Sequence, residues 1–118
     1  MRRSLGTSLD GGELTAFRTF CDRPLGFAIN FKFENGHRRA LAYADLVGAE
    51  YNPDLGGIIL EGIAKRVTVL GLNLEGLYEQ ILDHDVGEVT EKHAPEHLMA
   101  EIAKTGTPYI RQILWEGT

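Results

Sequence analysis

The sequence predicts an α+β domain: a bent antiparallel meander of about five strands, able to curl into a small open barrel, with a helix at 74–84 packed on it and a second helix near 95–104. Three observations predict it. Phe27, Ile29, Phe31 and Phe33 alternate with Ala28, Asn30, Lys32 and Glu34, the two-residue period of a half-buried strand. Leu74, Leu77, Tyr78, Ile81 and Leu82 recur at the period of an amphipathic helix. Short turns bearing glycine or proline separate the apolar runs, so neighbours in sequence become neighbours in the sheet.

At 118 residues, 43% hydrophobic and 25% charged, the chain suits one globular domain with a core. Residues 1–12 are small and polar and end in Asp10-Gly11-Gly12, which reads as a flexible leader before a single domain at 13–118. Leu14, Phe17, Phe20 and Cys21 fall at i, i+3, i+6 and i+7, predicting a short helix over 13–21. Residues 26–48 form a hairpin closed by Asn35-Gly36, the pair favoured in a two-residue type I′ turn. That turn sets Glu34 opposite His37 and Phe31 opposite Ala40, with Phe27, Ile29, Phe31 and Phe33 on one face. Lys32 and Arg39 then oppose each other on the second face, beside Ala28, Asn30, Leu41 and Tyr43.

Tyr51 to Gly57 is a turn-rich connection. Ile58-Ile59-Leu60 makes a short strand, Gly62-Ile63-Ala64 a turn or bend, and 65–71 a strand carried by β-branched Val67, Thr68 and Val69. Asn73 is the expected N-cap of the first helix, with Leu72 and Leu77 as a hydrophobic staple and Glu75 and Glu79 toward the positive end of its dipole. A further strand covers 86–90. Pro95 opens the second helix, and Thr105-Gly106-Thr107-Pro108 stops it. In the tail, Ile110, Ile113, Leu114 and Trp115 are too apolar to stay in water. They should dock on the body or across a subunit boundary.

The residues name no catalytic constellation, no metal site and no cofactor. His93, His97 and Glu101 share a four-residue spacing, but Pro95 places His93 outside the helix. In Asp83-His84-Asp85 the imidazole is expected to support the last carbonyls of the first helix, and Cys21 reads as a buried structural thiol. Only the fold can decide whether His37, His84, His93 and His97 converge. The best candidates for ligand binding are Lys32, Arg38, Arg39, Lys65 and Arg66, with Tyr43 as a stacking ring.

The net charge of −5 is uneven: residues 1–66 carry nine cationic against eight anionic side chains, and residues 67–118 three against nine. An acidic second half disfavours nucleic acid and suits contacts with a second copy or a charged protein. One cysteine and a first stretch without an apolar signal core point to a reducing cytoplasm. No run reaches the roughly 18 apolar residues of a membrane span. The expected function is therefore a non-catalytic binding or assembly module acting through protein contacts, as a homo-oligomer or with a protein partner. The alternative is an anionic-ligand or nucleic-acid module using the basic patch on the first hairpin, or a small enzyme with a histidine-containing pocket.

Overall fold

The computed structural model describes residues 7–9, 12–19 and 27–118. In chain order the strands are β1 (Thr7–Leu9), β2 (Gly12–Leu14), β3 (Phe17–Thr19), β4 (Ala28–Lys32) and β5 (Arg38–Ala42). A 3-10 turn at Tyr43–Asp45 leads into β6 (Leu46–Asn52), β7 (Gly57–Gly62) and β8 (Lys65–Leu72). Then come α1 (Glu75–Leu82), β9 (Val86–Thr90), α2 (Glu96–Thr105) and β10 (Tyr109–Gly117).

The α+β class holds, and sequence neighbours pair in β4–β5 and in the β6–β7–β8 meander, but β9 and β10 pair with strands distant in sequence and the strands divide between two sheets. One is antiparallel throughout, in the order β10-β8-β7-β6; the other, β3-β9-β4-β5, contains the parallel pair β4–β9. The break falls at the 3-10 turn, where the chain leaves the first hairpin and crosses to the second sheet. Neither sheet closes into a barrel. β1 and β2 pair as a separate ribbon.

In the described part of 13–21, residues 13–19, strands β2 and β3 stand where a helix is expected. Phe17 pairs with Val89 and Arg18 with Glu88. The β-forming character of Phe17 and Thr19 meets a partner strand there, and pairing outweighs a weak helical spacing. Cys21 lies outside the described residues.

The hairpin register also differs, by one residue. Phe33 N–H donates to His37 O at 2.9 Å and Gly36 N–H to Phe33 O at 2.9 Å, so the loop has three residues, with positive φ at Gly36 alone. This is a type I turn followed by a left-handed residue. The Asn35 side-chain oxygen accepts from His37 N–H at 2.9 Å, an Asx turn that favours the longer loop. Lys32 consequently opposes Arg38, and Arg39 opposes Phe31. A slip of one residue turns a whole strand over. Arg39, Leu41 and Tyr43 therefore join Ile29 and Phe31 on the core side, while Phe27, expected in the core, is 82% exposed.

β6 occupies residues expected to belong partly to the hairpin and partly to a turn; the turn itself is confined to Pro53–Gly56. Of the expected helical stripe, Leu74, Leu77 and Ile81 are buried, whereas Leu82 is 53% exposed. α1 ends at Leu82 because the chain turns left-handed at His84, with φ 58°. Asn73 is not the cap of α1. Leu74 holds that position without a side-chain bond, and Asn73, at φ 59°, uses its amide to donate to Ile102 O at 3.1 Å and Thr107 O at 2.8 Å. It ties the end of α2 to the β8–α1 junction. Pro95 caps α2 and left-handed Gly106 ends it.

Side chains from both sheets and α1 merge in one core around Ile29, Phe31, Ile58, Val67, Leu77 and Ile110. The apolar tail is β10, paired with β8 along its length, so Tyr109, Ile110 and Ile113 are buried within a single chain. Glu91 fastens the two sheets where they meet. One carboxylate oxygen accepts from Glu34 N–H at 2.8 Å and the other from Ile113 N–H at 2.9 Å.

Candidate functional site

The three-residue loop and the resulting register decide where the cations of the first hairpin point. Lys32 and Arg38 are neighbours on the face turned from the core. Glu88 lies beside them on β9, its oxygens 3.4 Å from Lys32 Nζ and 3.4 Å from Arg18 Nε, which offsets the repulsion of the like-charged pair. Arg39 points the other way. Its guanidinium carbon lies 4.5 Å from the centre of the Trp115 ring, and one of its nitrogens donates to Thr118 O at 3.3 Å.

Tyr43, the expected stacking ring, is buried against α1 and β9. Its hydroxyl donates to Val86 O at 2.7 Å and accepts from Val86 N–H at 3.1 Å, and its ring stacks on His84 at 4.3 Å. Burial pushes the Tyr43 hydroxyl well above the ordinary tyrosine range, with the Val86 N–H that donates to its oxygen acting in the opposite sense. Lys65 and Arg66 sit on β8 opposite Gly117 and Glu116. Each has a carboxylate: Asp45 at 4.0 Å from Lys65 and Glu61 at 2.8 Å from Arg66. Among the described residues, neither Arg38 nor Arg39 is paired with a carboxylate side chain.

Trp115 and Phe33, which sequence reasoning passed over as site residues, join Asn35, His37 and Arg39 around a pocket of about 230 Å³. Trp115 packs edge-on against Phe31, with ring centres 6.0 Å apart. Its indole N–H is buried and has no acceptor among the described residues. The available signal was the sole tryptophan of the chain at the end of an apolar tail; the misplaced register hid its link to Arg39.

Beside this pocket runs an open strand edge. Among the described residues β5 ends its sheet, paired with β4 alone. Its odd-numbered residues face that partner, as Phe33 N–H to His37 O and Tyr43 N–H to Phe27 O show. Alternation in an antiparallel ladder then turns the backbone groups of Arg38, Ala40 and Ala42 outward. Arg38, Arg39 and Ala40 are exposed.

The histidines do not gather. His37 lines the pocket, His84 covers Tyr43, and His93 and His97 are exposed near the start of α2. Among the described residues no group of three or more His, Cys, Asp or Glu side chains comes together, and no helix is long and apolar enough to cross a membrane.

Fold and surface together define a small two-sheet α+β domain with a cationic strand edge. No protein-family model, curated protein or solved structure matches the chain.

Proposed function

We propose that the protein is a non-catalytic binding module that takes an acidic, extended peptide of a protein partner as an added strand along β5. The observation that carries this reading is the open edge itself: outward backbone groups at Arg38, Ala40 and Ala42, flanked by two arginines that no carboxylate side chain among the described residues pairs. Strand addition draws affinity from main-chain hydrogen bonds and specificity from pockets beside alternate side chains. The Trp115 pocket supplies one, and Arg38 a charge on the opposite face. Arginines on an edge also discourage two like copies from pairing there while admitting an acidic strand. The overall charge of −5 does not prevent this, because at physiological salt charges beyond about 8 Å are largely screened. A single cysteine suits a partner in a reducing cytoplasm.

Because Trp115 is the sole tryptophan, its emission reports the pocket directly. A blocked peptide of alternating Glu and Val should change that emission saturably at low salt, and Arg38→Ala should weaken binding by roughly tenfold, about 1.4 kcal/mol. A Lys-Val peptide of equal length should have no effect. Equal responses to both peptides, or none to the acidic one at millimolar concentration, would refute strand addition by an acidic partner.

A second reading keeps self-association. Exposed Phe27, Val47 and Ile63 surround the 3-10 turn, where Tyr43 N–H bonds Phe27 O and Ile63 N–H bonds Asp45 O. An apolar corner of this kind suits a second copy. Light scattering decides it: a dimer at micromolar concentration that Phe27→Ser dissolves would favour that reading over the first.

A further inference from the structure

On the face of the first sheet turned from the core, a cleft of about 210 Å³ opens between β3, β9 and the start of β10. Arg18, Lys32 and Lys92 line it with three cations, Glu88 with one carboxylate, and Thr15 and Thr90 with hydroxyls. Buried Ile110 contributes an apolar wall, which lowers the local dielectric and strengthens charge pairing inside. The carboxylate does not neutralise the site. Glu88 divides its two oxygens between Arg18 and Lys32, each at 3.4 Å, and Lys92 has no carboxylate among the described residues. Three cations and one anion leave a local charge of +2 in a chain whose net charge is −5.

A hollow of opposite sign to its own protein, too small for a macromolecule and walled on one side by apolar surface, is the arrangement of a small-anion site. We propose that this cleft binds a small organic dianion, a phosphate monoester or a dicarboxylate. Arg18 offers a planar fork for two oxygens, Lys92 a point charge, and the two threonine hydroxyls neutral donors. Glu88 sets the selectivity. It holds Arg18 and Lys32 in place for the ligand, and its own charge lowers the affinity for an anion that brings only one negative charge. This site is independent of strand addition at β5, and either can fail without the other.

The test is a titration of the intact protein followed by amide correlation spectra at neutral pH and constant ionic strength, with inorganic phosphate, succinate and acetate as probes. At least one dianion should shift the Thr90 and Lys92 amides saturably at millimolar concentration, with acetate about tenfold weaker. Saturation by phosphate alone assigns a phosphate ester, and saturation by succinate alone a dicarboxylate. Lys92→Gln and Arg18→Gln, both at exposed side chains, should each weaken the dianion by roughly fivefold, and Glu88→Gln should bring acetate close to it. Spectra unchanged outside the cleft confirm that each variant is folded. Linear, unsaturated shifts with both dianions, acetate binding as well as either dianion, or full affinity in Lys92→Gln would each overturn the proposal.

Discussion

Replacing Gly71 by alanine is expected to cost roughly 4 kcal/mol or more, a large share of the stability of a domain this size. Gly71 lies on β8 opposite Ile110, where β10 carries its bulge between Ile110 and Gln112. A β-carbon there would fall inside the Tyr109 carbonyl oxygen and come within 3.0 Å of Ile110 Cα. Both obstacles are backbone, so no rotamer change relieves them. β10 would have to lift from β8, taking buried Tyr109, Ile110 and Ile113 with it. Gly76→Ala is the matched control: its β-carbon meets nothing within 4 Å, and in α1 it should stabilise by about 1 kcal/mol. Urea denaturation reads both. Equal midpoints for the two variants would mean that β10 does not sit against Gly71.

Leu77→Asp should leave the chain unfolded at room temperature. Leu77 is 0% exposed, in the core formed by both sheets and α1. The change removes an apolar side chain and places a carboxylate where nothing accepts it; the sum is on the order of 5 kcal/mol. Leu82→Asp, five residues on but 53% exposed, should fold normally. The sequence periodicity puts both residues on one stripe, so the contrast tests the helix orientation itself. Far-ultraviolet circular dichroism showing native signal in Leu77→Asp would contradict the packing of α1 described above.

Strong periodicity made several elements legible. The strand at 86–90 is β9 to the residue, the second helix is displaced by only one, and β8 and α1 differ from expectation only at their ends. What escaped was set by choices that sequence spacing does not encode. Asn35-Gly36 fits both a two-residue and a three-residue loop; the Asx bond to His37 favours the longer one, and every side chain on β5 changes face. Asn73 has the chemistry of a cap, but tertiary partners at Ile102 and Thr107 claim its amide. β6, a half-exposed edge, lacks the alternation that marks a strand. For the site, the basic residues of the first hairpin were visible as a set. Their division into an outward Lys32–Arg38 pair and an inward Arg39 on Trp115 depends on register, and so did the open edge.

The pairing of β3 with β9 bears on the order in which the molecule comes into being. Phe17 and Val89 are partners across 72 residues, whereas β6, β7 and β8 join through short local turns. Closing a long loop precedes any reward from the contact it makes, so distant pairings form late. A growing chain can assemble β4–β5 and the β6–β8 meander from what has already emerged, while β3 waits for the segment that follows α1. Pulse labelling of amide hydrogens during refolding should therefore protect Ile59 and Val69 before Arg18; protection of Arg18 first would reverse that order. Since Arg18 walls the cleft, the cleft forms only once β3 has found β9, and a chain truncated before β9 would present the hairpin edge without it.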